Sequence, residues 1–372
     1  MRQGAAAARW LVALVTWASA FTGIGDATGH GDPEGAHLYA RACAACHGAD
    51  GRGVAPARTG LPLPVPDFTD CAYQTREPDA DWIAIAHSGG PVRAFDRRMP
   101  AFGDALSETQ LAAIVHHLRS FCRDARPWPP GELNLPRAFH TEKAYPEDEA
   151  ILAVSGSTDG DALDHELIYE RRIGTRSQIE LALPVPAYRT DSGAWTGGAG
   201  DLAIAFKRAL HHDGARGRIV AAAAELRLPT GRSEDGLGAG TARIEPFVSA
   251  GQLFGDAFFV QGQAGVEVPF DGDQAESEVF WRVAGGTTIA QDDGRGRSWS
   301  PMIEVLAARE LENCARTAWD VAPQLQVTLS RRQHVMLSVG VRVPVSARAG
   351  RSPAVLSYLL WDWYDGGLNS GW

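Results

Sequence analysis

Positions 43 to 47 read Cys-Ala-Ala-Cys-His, and this pentapeptide constrains the fold around it more than any other feature. Two thiols one helical turn apart, followed at once by an imidazole, suit two thioether bonds to a haem edge with the imidazole on one face of the iron. A Cys-x-x-Cys pair alone also occurs in thiol redox centres and zinc sites. The adjacent His47, the lack of a second Cys-x-x-Cys and the lack of a ligand-spaced histidine pair argue against zinc. The expected cofactor is one covalently attached haem c, held by Cys43, Cys46 and His47. The segment from Gly35 to Ala45, with Leu38 and Tyr39, is expected to form the short helix that carries them.

A second axial ligand must come from elsewhere, and Met99 is the candidate. It is the only methionine between Met1 and Met302, and Pro100 stiffens the loop Met-Pro-Ala-Phe-Gly that presents its sulfur. The competing readings are Met99 as a gap-filling core residue and His87, in His-Ser-Gly-Gly-Pro, as the ligand; His87 is expected to be a surface histidine or a support to the site. After Met99, Ser107 and Gln110 form a capping box, and Leu111, Ile114, Val115 and Leu118 recur at helical spacing. That apolar face is expected to pack on the haem-bearing helix, with His116 and His117 structural. Two filled axial positions leave iron no open site, so outer-sphere electron transfer is expected rather than catalysis. Without Met99 ligation a vacant site would reopen an enzymatic reading.

The chain has 372 residues, more than one domain usually holds, and a net charge of −10. That balance lacks the basic face nucleic-acid binding needs. Arg2 and Arg9, the apolar run from Trp10 to Trp17 and Ala18-Ser19-Ala20 read as a signal peptide over residues 1–20, with a buried N-terminal helix as the competing reading. No run of roughly 18 apolar residues follows to supply a membrane helix. Cys71 and Cys122 either form a disulfide in an oxidising compartment or remain two separate buried thiols. Cys314 is left over, with no special role expected.

The organisation expected is a helical haem domain over residues 21–126, a Pro-rich then acidic linker over 127–149, and a strand-rich domain over 150–372. In the last part, Phe258, Val260, Ala264, Val266 and Val268 alternate with Gln261, Gln263 and Glu267. Val321 to Ser330 and His334 to Val345 repeat the pattern. Strands this long, about twelve of them, fit an antiparallel transmembrane barrel with lipid outside and a polar lumen. A soluble sandwich, with strands of about five or six residues, fits less well. Tyr188, Trp195, Trp299, Tyr358, Trp361 and Trp363 are expected at the membrane interfaces.

Tyr39, Cys43 to Gly48, Met99-Pro100 and the helix after them resemble a class I c-type cytochrome over about 90 residues, which implies a low-spin haem, electron transfer and haem attachment in the periplasm. Gly200 to Lys207 and Leu228-Pro229-Thr230-Gly231 resemble outer-membrane porin-like proteins, including those grouped with phenol-degradation MetA-pathway transporters. Trp372 suits the terminal aromatic that this resemblance implies for outer-membrane assembly.

Together the halves resemble cytochrome–porin fusions such as the outer-membrane iron oxidases, in which a short haem segment is thought to plug a larger barrel. This chain departs from them: its cytochrome is complete, and about twelve strands enclose less than the roughly 16 to 18 that leave a water-filled channel. The expected function is therefore haem-based electron transfer by a cytochrome tethered to the outer membrane, its haem domain at the periplasmic mouth. The expected partners are a redox protein or small electron donor or acceptor, and outer-membrane lipid. The alternatives are a porin or transporter whose haem domain senses or gates, and an iron-oxidising cytochrome–porin.

Overall fold

The computed structural model describes residues 33–60, 65–292, 294–312, 314–346 and 350–362. The signal-peptide segment 1–20 and the aromatics Trp363 and Trp372 lie outside the described residues. The helical part contains α1 (Pro33–Ala42), α2 (Ala44–His47), α3 (Pro56–Thr59), α4 (Cys71–Gln74), α5 (Asp79–Ser88) and α6 (Glu108–Arg119). Ser107 and Gln110 close the expected capping box on α6, and Leu111, Ile114, Val115 and Leu118 are its buried face. This face meets Tyr39 of α1, Phe68 and Trp82 in one core. Gly35 makes the helix crossing close, since an added Cβ would collide with the Ala113 carbonyl of α6. Tyr39 then ties α1 to the haem-motif turn by donating to the Gly48 carbonyl at 2.6 Å. Cys71 and Cys122 form a disulfide, Cα to Cα 5.1 Å, fastening α4 to the chain just beyond α6.

The second part is a closed antiparallel barrel. Its strands are β1 (Glu149–Ser157), β2 (Ala162–Ile173), β3 (Ser177–Arg189), β4 (Trp195–Gly197), β5 (Ala203–Asp213), β6 (Arg218–Arg227), β7 (Arg243–Phe254), β8 (Phe258–Pro269), β9 (Glu278–Thr287), β10 (Ile289–Ala290), β11 (Ser298–Glu310), β12 (Ala318–Thr328), β13 (Val335–Pro344) and β14 (Ala354–Asp362). β4 and β10 are short side pairings on β3 and β11. The remaining twelve strands form the wall, which β1 and β14 close, Glu149 opposite Asp362. No helix among the described residues is long and apolar enough to cross a membrane.

Alternation decides which face each residue takes. Leu167, Phe206, Val260, Val339 and Val355 point outward and are exposed, whereas Glu170, Gln178, Lys207, Gln261, Gln263, Glu304 and Gln324 point inward and are buried. An apolar exterior around a polar interior is the reverse of a soluble barrel, and it is what a hydrocarbon surround requires. One aromatic departs from the expected interfacial position. Tyr358 faces inward at 2% exposure and donates to the Arg137 carbonyl at 2.6 Å, because its neighbours Val355, Leu359 and Trp361 occupy the alternate face of β14.

The stretch joining the two parts differs most from its composition. Of residues 127–149, which read as a linker, Leu133 to Asp148 run through the barrel lumen rather than across water, while 127–132 pack at the rim. Glu304 of β11, fully buried, accepts from the backbone N–H groups of Phe139, His140 and Thr141 at 2.8 to 3.1 Å and from the Thr141 hydroxyl at 2.8 Å. Arg137 pairs with Glu149 at 2.8 Å and Glu170 at 2.7 Å, and Lys143 pairs with Glu147 at 2.6 Å. Gln261 donates to the Pro136 carbonyl, Arg282 to that of His140, and Gln178 accepts from the Glu147 N–H. The lumen wall thus supplies partners for the backbone of a segment that has no secondary structure to satisfy it.

Glu304→Ala is expected to leave three buried N–H groups without their acceptor, at about 1–3 kcal/mol for each. Thermal unfolding in detergent should show a markedly lower midpoint for this variant and a smaller loss for Glu304→Gln, which keeps one acceptor oxygen. Equal midpoints for all three proteins would show that the segment is not held there.

Candidate functional site

The haem motif lies at the junction of α1 and α2. α1 ends at Ala42, α2 begins at Ala44, and the His47 N–H donates to the Cys43 carbonyl at 2.9 Å, so both thiols and the imidazole fall on one turn. His47 stacks on Phe68, ring centroids 4.9 Å apart. Burial pushes its imidazole down to about 4, so the ring is neutral at ordinary pH, the form that binds a metal. Its Nδ1 is buried with no hydrogen-bond partner among the described residues. Burial also raises the Cys43 thiol to about 11, with Cys46 adding to the effect. Cys46 itself is exposed.

These residues open on a crevice of about 270 Å³ whose walls are mainly apolar. Cys43, Cys46, His47 and Met99 all line it, together with Tyr39, Phe68, Trp82, Phe102, Ile114 and Leu118. Met99 is held by backbone bonds on both sides: its N–H donates to the Asp96 carbonyl, and its carbonyl accepts from the Gly90 N–H at 3.0 Å. The crevice is thus an apolar slot with a neutral imidazole, two cysteine sulfurs and a thioether sulfur on its lining, a donor set that fits a haem. His87 does not line it. Its ring packs on Gly103, with Nδ1 3.0 Å from the Ser88 hydroxyl. His117 packs between Tyr39 and Phe121, which is a structural role. A larger open cleft of about 710 Å³ beside the disulfide is lined by Asp50, Arg52, Arg123, Arg126 and the disulfide-bonded Cys71, and by none of Cys43, Cys46, His47 and Met99.

Residues 32–118 match the family described as cytochrome C oxidase, cbb3-type, subunit III. This segment is a c-type cytochrome domain. The match spans a minority of the chain. An outer membrane channel from Pseudomonas putida F1 aligns with a TM-score of 0.45 at 11% identity, over 62% of this chain and 100% of its own. The NanC porin aligns with a TM-score of 0.42 at 9% identity, over 57% and 99%. The KdgM porin aligns at 0.37 and 6% identity, over 58% and 99%. The comparison with curated proteins gave no match. The chain therefore joins a c-type cytochrome domain to a closed twelve-strand antiparallel barrel.

Two crevice residues were not legible in the sequence. Arg332 and His334 lie in the turn between β12 and β13, yet both line the cytochrome crevice. The segment Arg331-Arg332-Gln333-His334 reads as an ordinary polar turn, and no local pattern links it to a domain more than 200 residues earlier.

If Met99 is an iron ligand, Met99→Ala should lower the midpoint potential by a substantial part of the roughly 0.8 V range that axial ligands span. It should also convert the ferric spectrum from low to high spin. Unchanged spectra and potential would remove Met99 from the iron.

Proposed function

We propose that the protein is a monohaem electron carrier fixed to the outer membrane by its barrel. One haem c is bonded through Cys43 and Cys46, with His47 and Met99 on opposite faces of the iron. The observation that carries this reading is the convergence of those four residues on one apolar crevice inside a c-type cytochrome domain. When bound, the haem supplies one-electron exchange. The chain's own residues do the rest: the neutral His47 keeps a ring nitrogen for metal, Phe68, Trp82 and Leu118 exclude water, and the Asp96 to Met99 turn presents the sulfur. A thioether ligand raises the potential relative to two imidazoles.

The same reading puts the haem domain on the periplasmic side. The chain enters the barrel at Glu149 and leaves it at Asp362 on one rim, the rim of the tight turns after β2, β5 and β7, while the longer connections 190–202 and 228–242 lie at the other. Outer-membrane barrels keep their termini and short turns in the periplasm. The cytochrome domain docks on this rim: Arg93 donates to the carbonyls of Arg295 at 2.9 Å and Gly294 at 2.5 Å, and Arg76 pairs with Asp148 at 2.8 Å.

The first test is pigment. Protein purified from outer membranes should keep its haem through denaturation and acid-acetone extraction, show a reducible low-spin spectrum, and lose the covalent pigment in the Cys43→Ala/Cys46→Ala variant. Material whose pigment extracts freely would end the reading. A porin with a regulatory haem domain is the competing function, and the filled lumen weighs against it. Reconstituted barrels are accordingly expected to pass small solutes no faster than protein-free vesicles, in either redox state. Steady flux that follows the haem's redox state would favour gating instead.

A further inference from the structure

We propose that the barrel completes the haem site: the β12–β13 turn supplies Arg332 and His334 as the polar wall that faces the two carboxylates of the haem. The proposal rests on the haem reading above and adds to it the residues that receive the cofactor's charged edge.

A haem is an apolar disc with both carboxylates on one edge. A crevice that buries the disc therefore needs cationic or donating groups along one side, since a desolvated carboxylate without them is costly. Most of this crevice is apolar; its basic side chains are Arg93, Arg98, Arg332 and His334, beside the carboxylates of Glu77, Asp81 and Asp96. Arg93 is committed elsewhere. It is 3% exposed, pairs with Asp81 at 2.6 Å, and spends its other donors on the Gly294 and Arg295 carbonyls. Arg98 is largely exposed and leans toward Asp96 at 3.5 Å.

The two barrel residues are placed more firmly. The Arg332 guanidinium lies 4.2 Å over the Phe95 ring, so the segment leading to Met99 positions it. It also donates a long bond, 3.5 Å, to the Ala94 carbonyl. His334 is 5% exposed, with Nε2 3.0 Å from the Glu77 carboxylate. The turn is braced from within. The Ser330 hydroxyl accepts from the N–H groups of His334 and Val335 at 3.0 and 3.1 Å, and the His334 carbonyl accepts from the Asp362 N–H at 2.8 Å. The Arg332 guanidinium, on a rigid turn and beside an imidazole that Glu77 holds in place, lines the slot from the barrel rim and forms a preorganised site for carboxylate.

A cation beside the haem edge favours the ferrous state, so its removal should lower the potential. The test uses the full-length protein in detergent, comparing equilibrium redox titrations of wild type, Arg332→Gln, Arg332→Lys and Arg331→Gln at matched covalent haem content. Arg332→Gln is expected to shift the reduction equilibrium at least threefold toward the ferric form, about 28 mV at 59 mV per decade for one electron. Arg332→Lys should recover most of the shift because the charge remains, and Arg331→Gln, an exposed neighbour, should leave the potential unchanged. If Arg332→Gln does not assemble, Phe95→Leu, which removes the ring beneath the guanidinium, should lower the potential while Arg332→Lys stays near wild type. A wild-type potential in Arg332→Gln, or in Phe95→Leu where that variant stands in, would overturn the proposal, as would an equal fall in Arg332→Lys. Wild-type protein without covalent haem would instead overturn the reading beneath it, so the two failures are distinguishable.

Discussion

One buried carboxylate organises the joint between the two halves of this chain. Glu304 stands on the inner face of β11, fully excluded from water, and gathers three consecutive backbone N–H groups and a hydroxyl from residues 139–141. The amides it binds are satisfied without secondary structure of their own. Neither partner could be buried alone at tolerable cost. Because this contact pins the middle of the segment that leads from the cytochrome domain to β1, it also limits where that domain can sit.

The ion pairs around Glu304 extend the same logic. Arg137 bridges Glu149 and Glu170, one on β1 and one on β2, while Lys143 bridges Glu147 and Glu149. Buried pairs of this kind contribute little net stability compared with a well-packed apolar core, but breaking one is costly. Their effect here is therefore on uniqueness of placement. A luminal segment with Leu133, Leu135 and Tyr145 as its apolar anchors could slide along the barrel axis if packing alone held it. Charges matched at several heights allow one register.

This explains which features were legible in the sequence. The capping box at Ser107, the apolar stripe on α6, the Cys-Ala-Ala-Cys-His turn and the alternation through β8, β12 and β13 each depend on residues close in the chain, and local periodicity carries them. The luminal path of residues 133–148 was not legible because prolines and charges suit a segment in water as well. In a membrane barrel the polar phase is inside, so the same composition equally describes a segment that fills the lumen. Tyr358 illustrates the converse: an aromatic near a strand end suits an interface, but its inward parity puts its hydroxyl on the Arg137 carbonyl. The disulfide between Cys71 and Cys122 needed a distance, which spacing in the chain does not contain.

The arrangement also bears on how electrons reach the haem crevice. The barrel covers one side of it through Arg332 and His334, whereas Cys46, at the opposite chemical end of the donor set, remains exposed. On the proposed reading, a redox partner approaching from solution would meet the exposed Cys46 side, with the barrel rim behind the site. The membrane's apolar band is about 25 Å tall in barrels of this kind, and the segment filling the lumen offers amides, ion pairs and a few aromatic rings but no second Cys-x-x-Cys-His motif. A single redox centre at one rim can exchange electrons with partners on its own side. On the proposed reading, the barrel's contribution is to hold that centre at the membrane surface, and the luminal segment's buried ion pairs and amide bonds fix its orientation.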